Sequence, residues 1–218
     1  MLIIGAKGLA KEILEIYYGG NQIDQLGLYD EINSDLPEKL YDSYPIITDM
    51  KEAEKFFIQN GNEFTLGLGN PCLRWKLYQR FIKINGIMVS SVSKEAFIGH
   101  HDVEIGDGCS ILSGVKISNS VKIGMGCLIY YNAVITHDCE LGRFVEVSPS
   151  ANILGRTKIG DFTQIGANAT IFPDINIGKN VLVGSGAVVR EDVPDNSMVA
   201  GVPASFKRKR DPINFKVD

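Results

Sequence analysis

Four short stretches of this chain carry residues whose types and spacing can do chemistry. Gly5-Ala6-Lys7-Gly8 lies between an apolar run and a helix-like pattern. Free backbone N–H groups at a helix start, with the helix dipole behind them, favour an anion. The spacing is GxxG, not the full GxGxxG fingerprint, and it also serves as a plain tight turn. Asp30 stands about 25 residues further on, where an acid can meet a ribose hydroxyl. Gly69-Asn70 forms a further candidate lip for the same pocket. His137 is followed by Asp138, with Glu140 nearby. A histidine can act as a base near neutral pH, and an adjacent carboxylate can fix its tautomer. A lone outward histidine is also an ordinary solvated residue. Near the end, Lys207, Arg208, Lys209 and Arg210 form a basic run. It reads either as a solvated tail or as an attraction for a phosphate.

Two unlike halves must position these groups, and the chain divides near residue 97. Before it, strand and helix patterns alternate. Residues 1–5 (MLIIG) read as a buried parallel strand ending in glycine. Leu9, Ile13, Ile16 and Tyr17 recur at helical spacing, with Gly19-Gly20 as the stop. Strands are expected over 26–30 and 63–69, with a short charged helix over 49–59 between them. Ala53, Phe56 and Phe57 share one face of that helix. Pro71 suits a helix start, with Leu73, Leu77, Phe81 and Ile84 as its buried stripe. Residues 87–91 are a candidate last strand. Such alternation implies a small parallel sheet, Rossmann-like and truncated, over residues 1–97.

From residue 98 to 204 the pattern changes to a period of six. Every sixth residue from Ile105 to Val189 is isoleucine, leucine or valine. The residue two before each, from Cys109 to Ala169, is small or β-branched. This is the signature of a parallel β-helix. Three hexads close a triangular coil, and each inward aliphatic stacks on the one a coil later at roughly 4.8 Å. About five coils are expected. Glycine often follows the aliphatic, as at Gly106, Gly124, Gly142 and Gly160. It is expected at corners needing unusual φ/ψ. Cys109, Cys127 and Cys139 fall on inward positions and read as core packing. His137, between inward Ile135 and inward Cys139, should face outward near a corner. Residues 205–218 read as a C-terminal tail.

Composition narrows the partners. The 218 residues are 44% hydrophobic and 22% charged, which is ordinary for a soluble protein. Lys plus Arg total 22 against 26 acidic residues, a net charge of −4 with no basic stripe, so nucleic acid is not the expected partner. No apolar stretch reaches the roughly 20 residues a membrane span needs. Residues 1–8 have no basic leader, so no signal peptide is indicated and a cytoplasmic location is expected. Four cysteines with no CxxC pair indicate no disulfide framework.

The hexad run resembles the left-handed β-helix acyltransferases, and GVPA at 201–204 resembles the segment that ends their solenoids. IIGAKGLAKEIL near the start and THDCELG within the solenoid are similar to one subgroup of bacterial sugar acetyltransferases. These are of the bacillosamine, perosamine and sialic acid O-acetyltransferase type. The resemblance covers nearly the whole chain, and the left hand of the solenoid is taken from it.

The resemblance implies an acetyl-CoA-dependent enzyme that acetylates the amino group of a nucleotide-linked amino sugar. It implies that the first domain holds the nucleotide sugar, with Gly5, Lys7, Gly8 and Asn70 at the pocket and Asp30 and Glu31 near the base. His137 would be the general base, with Asp138 or Glu140 fixing its tautomer. The Gly155 N–H, one coil on, would meet the thioester carbonyl. Acetyl-CoA would lie in a groove between neighbouring solenoids of a homotrimer, at Gly155, Ala167, Ser185 and residues 201–204. Lys207 would replace the basic residue usual where Ser205 stands. Relatives of the bacillosamine enzyme carry a second histidine nine residues after the first, near the acetyl group; this chain has Glu146 there. The same residues admit two other readings: transfer to a sugar hydroxyl, such as that of a sialic acid, or a non-catalytic nucleotide-binding homologue. A γ-carbonic-anhydrase-like metal site is excluded. It needs three histidines at one level, and His100 and His101 lie about two coils, or roughly 10 Å, from His137. No metal is expected.

Overall fold

The computed structural model describes residues 1–18 and 25–215, so the helix stop read at Gly19-Gly20 lies outside the described residues. The first unit is a sheet with helices packed on it. Its elements are β1 (Leu2–Ile4), α1 (Gly8–Tyr17), β2 (Gly27–Tyr29), β3 (Lys39–Leu40), β4 (Tyr44–Ile47), α2 (Met50–Asn60), β5 (Glu63–Leu66), α3 (Pro71–Lys83) and β6 (Ile87–Met88). The sheet order is β3-β4-β2-β1-β5-β6, parallel except for the β3–β4 pair. β1 therefore has β2 on one side and β5 on the other. The connections diverge at β1, so a crevice opens at the C-terminal ends of β1 and β5. Asp49 caps α2 by accepting from the Glu52 N–H, and Asn70 caps α3 by accepting from the Leu73 N–H, before Pro71.

The α3 stripe differs from its sequence reading by one position. Leu77 and Phe81 are buried, but Leu73 is 37% exposed and Arg74, next to it, is only 1% exposed. Arg74 Nη1 donates to the Leu66 and Leu68 carbonyls, and Nε and Nη2 donate to Gly126 O in the solenoid. Burial pulls its pKa down to about 10. A cation was not expected there, because the hydrophobic spacing rule does not weigh carbonyls that need a donor.

The solenoid is three parallel ladders of two-residue strands. The first face runs through Ile111, Ile129, Val147, Ile165 and Val183, the second through Ile117, Ile135, Ile153, Ile171 and Val189, and the third through Ile123, Leu141, Ile159 and Ile177. These aliphatics and the small residues two before them, including all three solenoid cysteines, form one buried core. The ladder starts earlier than the hexad count shows. Val92 stacks under Ile111 and Ile98 under Ile117. Ile98 to Ile105 is a seven-residue step, so counting back by six lands on Gly99 and Ser93 and misses that coil.

The corner glycines also differ from expectation. Gly106, Gly124, Gly142 and Gly160 do not carry positive φ; Asn132, Asp138, Phe144, Ser150, Arg156 and their equivalents do. The glycines meet a packing limit instead. A β-carbon at Gly160 would lie 2.6 Å from the Lys179 nitrogen in the next coil.

The end of the chain is structured as well. Ser205–Lys209 is a strand antiparallel to Ser197–Ala200, so the basic run closes the first face rather than trailing as a tail. Beyond it, Phe215 meets Trp75 of α3 and Phe162 of the solenoid. The first unit sits on the solenoid's first face and the adjoining corner. Leu112 and Leu128 pack with α1, Phe144 and Phe162 pack with the α3 side, and the Tyr130 hydroxyl donates to Glu12 at 2.8 Å.

Candidate active site

Two regions gather the candidate residues. The first is a cavity of about 250 Å³ at the crevice beyond β1 and β5, lined by Gly5, Lys7, Gly8, Asp30 and Glu31 among others. Gly5 has φ +117, and a β-carbon there would lie 2.6 Å from Gly67 O, so only glycine lets the two strand ends approach. Gly8 opens α1 with empty space where its side chain would be.

The acids of this cavity are already engaged. Asp30 is buried and accepts from the Ala6, Ile32 and Asn33 N–H groups at 3.1–3.2 Å, and from the Asn33 side chain. It shapes the loop after β2. Glu31 is paired with Arg80 and accepts from the Tyr29 hydroxyl at 2.6 Å. Arg80 holds the Glu31 carboxyl below its usual range, while burial and Glu31 push the Tyr29 phenol up. Lys7 forms an exposed ion pair with Asp35 at 2.9 Å. The Asn70 side chain is spent on the α3 cap and does not line the cavity. Asn33 and Arg80 were missed from sequence; their partners, three and 49 positions away, are fixed by the fold.

The second region is the corner between the second and third solenoid faces. Inward Ile135 and Cys139 turn His137 outward, with its side chain 54% exposed. Nδ1 lies 2.7 Å from Asp138 Oδ2, which supports the Nδ1–H tautomer and leaves Nε2 as the free base. Glu140 is not the partner: it pairs with Lys158 at 3.1 Å on the third face. Gly155 lies one coil on. A β-carbon there would be 2.6 Å from His137 Cε1 and 2.9 Å from Nε2. Among the described residues nothing accepts from the Gly155 N–H. Next to it, Arg156 pairs with Asp174.

The remaining candidates lie elsewhere in the chain. Ala167 and Ser185 are on the corner between the first and second faces, where Ala167 O accepts from the Gly186 N–H. Glu146 is on the first face, under the first unit, 8% exposed and hydrogen-bonded by Ser148 at 2.7 Å. Burial raises its pKa. Lys207 hydrogen-bonds to Ser205 on the terminal strand. Within one chain these four are not gathered around His137. Among the described residues no three His, Cys, Asp or Glu side chains are placed to hold a metal, and no helix is long and apolar enough to cross a membrane.

Comparison with known proteins bears on both regions. The model of the PglD N-terminal domain matches residues 1–81, and the bacterial transferase hexapeptide model matches residues 156–191. No curated protein sequence matches the chain. Among solved structures, the chain is similar to a variant of perosamine N-acetyltransferase from Caulobacter crescentus in complex with CoA and GDP-perosamine. Identity is 26% over 95% of this chain and 96% of that one, with TM-score 0.85. WeeI from Acinetobacter baumannii is 26% identical over 94% and 98% of the two chains, with TM-score 0.84. The acetyltransferase domain of PglB from Neisseria gonorrhoeae, in complex with acetyl coenzyme A, shares the fold at 24% identity, over 94% and 98%, with TM-score 0.83. The two-unit architecture, a mixed α/β sheet followed by a left-handed β-helix, and both family models point the same way: the chain is similar to the PglD N-terminal domain over residues 1–81, to the bacterial transferase hexapeptide repeats over 156–191, and over nearly its whole length to a perosamine N-acetyltransferase.

Proposed function

We propose that the protein transfers acetyl from acetyl-CoA to the amino group of a nucleotide-linked amino sugar, with His137 as general base. The observation that carries this reading is the His137–Asp138 pair set against Gly155. Asp138 holds Nδ1–H, so Nε2 takes the proton from the amine as it attacks the thioester carbon. The Gly155 N–H, without another acceptor among the described residues, donates to the oxyanion that develops on the acetyl oxygen. As the carbon–sulfur bond breaks, the imidazolium returns its proton to the departing thiolate. A β-carbon at Gly155 would lie 2.6 Å from His137 Cε1, so glycine is what lets the imidazole lie this close to that stretch of backbone.

The cavity beyond β1 and β5 is the nucleotide-sugar site in this reading. Gly5, Lys7 and Gly8 face the phosphates at the start of α1, and Asp30 and Glu31 frame the base end. The solenoid is the acetyl-CoA site. His137 and Gly155 occupy one corner, whereas Ala167 and Ser185 occupy another. A groove using both corners is made by copies side by side, which supports a homotrimer with Lys207 contributed to the inter-chain groove. Glu146, expected at the acetyl-CoA site, is instead buried under the first unit of its own chain and lies outside such a groove. The test is release of the CoA thiol against a panel of nucleotide amino sugars and of sugars offering only hydroxyls. Turnover with an amino sugar alone supports the proposal. Turnover with hydroxyl acceptors alone makes it an O-acetyltransferase, and none with either leaves a binding protein.

A further inference from the structure

The corner that carries His137 also carries a column of charge. Asp138, Arg156 and Asp174 occupy the same left-handed position in successive coils, with φ of +60, +63 and +65. That conformation suits aspartate far better than arginine, so Arg156 stands there at a backbone cost. The main chain locks the column in register. The Arg156 N–H donates to His137 O at 3.1 Å, and the Asp174 N–H donates to Gly155 O at 3.0 Å. With coils roughly 4.8 Å apart, Arg156 has a carboxylate within reach on either side.

It takes only one of them. Nε donates to Asp174 Oδ1 at 2.5 Å and Nη2 to Oδ2 at 2.8 Å, while among the described residues no ion pair joins Arg156 to Asp138. Asp138 is thereby left to His137 at 2.7 Å. The other groups around the corner do not compete. Cys139 turns its thiol to the Leu154 carbonyl, Glu140 and Lys158 are paired with each other, and Arg190 in the next coil lies over the Phe172 ring. Asn119 and Ser120 in the preceding coil are uncharged.

We propose that Asp174 is a positioning residue for the His137–Asp138 pair: by holding the Arg156 guanidinium on both oxygens, it keeps that cation off Asp138. This rests on the function proposed above for its kinetic consequence, but not for its geometry. A bidentate grip is directional, whereas an exposed pair adds little to stability. Asp174 therefore acts on the site and not on the fold.

Asp174→Asn leaves Asp138 as the carboxylate open to Arg156. The expected result is a fall in kcat of about tenfold with KM values little changed, as for a modestly misplaced base. In the same variant, ring ¹⁵N shifts should show neutral His137 losing its Nδ1–H preference, with the resonance assigned by His137→Ala. Adding Arg156→Gln removes the competing cation and should restore both readings. A merely structural contact would not be rescued by deleting its second partner. An unchanged tautomer in Asp174→Asn, or no recovery in the double variant, overturns the proposal. The tautomer measurement needs no substrate. Full turnover by His137→Ala would instead refute the general-base function while leaving this column to be judged on its own spectra.

Discussion

The imidazole of His137 sits so close over Gly155 that a β-carbon there would fall 2.6 Å from Cε1 and 2.9 Å from Nε2. Gly155 carries no positive φ, so glycine is required by the imidazole and not by the backbone. The contact exists because consecutive coils stack in register. The Arg156 N–H bonds to His137 O, placing the residue before Arg156 beneath the ring. The solenoid thus sets the imidazole beside a backbone N–H that has no acceptor among the described residues, without a loop to position either.

Gly155→Ala tests that closeness. The backbone tolerates alanine, so the thermal melt should stay near that of the parent. The added methyl must push the imidazole aside. A displacement of about 1 Å is expected to lower kcat by about 10²-fold. Steady-state CoA-release kinetics beside a melting curve separate the two effects, and an unchanged kcat would remove the imidazole from the reaction.

His137→Ala should lower kcat by roughly 10²–10⁴-fold, the usual share of a positioned base. KM should change little, because the residue meets the reacting proton and not the bulk of either substrate. Asp138→Asn should cost less in the same parameter. An amine already deprotonated needs the base less, so the loss should shrink at high pH. Rates at two pH values about two units apart check this.

Legibility in the sequence followed how local each cause is. The hexads from Ile105 to Val189 could be read because burial repeats at a fixed period, and the same period turned His137 outward between Ile135 and Cys139. The coil of Val92 and Ile98 was hidden by one extra residue before Ile105, which breaks the count without breaking the ladder. Asn70 before Pro71 has the form of a helix cap, and the cap is where its side chain goes. Arg74 was invisible because its acceptors, Leu66, Leu68 and Gly126, converge only in three dimensions. The Arg80–Glu31 pair was hidden for the same reason. The Asp138–Arg156–Asp174 column is written in the sequence at coil spacing, but it shows only once left-handed corner positions are known to stack.

Gly8→Leu should separate the two ligands. The first residue of α1 has nothing within 4 Å of where its side chain would go, so leucine fills the cavity without straining the fold. Nucleotide-sugar binding should weaken by at least about tenfold, the 1.4 kcal/mol expected from losing one close phosphate contact. Acetyl-CoA binding, on the solenoid, should be unchanged. Calorimetry with each ligand checks this, and equal loss of both would end the division of labour between the units.

A homotrimer is expected in solution. The Gly155 corner and the Ala167–Ser185 corner are different edges of one prism, and a single groove takes both only from two chains. Light scattering at micromolar concentration should give three times the mass of the 23.9 kDa chain. A monodisperse monomer would leave the acetyl-CoA groove without its second wall.

Glu146 should make stability depend on pH in a definite direction, and Glu146→Gln should remove that dependence. Burial raises the Glu146 carboxyl above its usual range, although the Ser148 and Gln164 hydrogen bonds and the Arg74 charge partly offset this. A carboxyl raised in the folded state binds its proton more readily there than in the unfolded chain, whose glutamate titrates near 4.3. Folding is therefore favoured in acid. It pays a desolvation penalty as pH rises through the folded value, and the penalty is full above it. Glutamine keeps the shape and removes the charge. The variant should therefore melt higher than the parent at neutral pH, and the difference should vanish below about pH 4. Paired melting curves across that range check the sign. A variant that melts lower than the parent at neutral pH would mean that Arg74 depends on the ionised Glu146, and that the buried pair stabilises the junction of the two units.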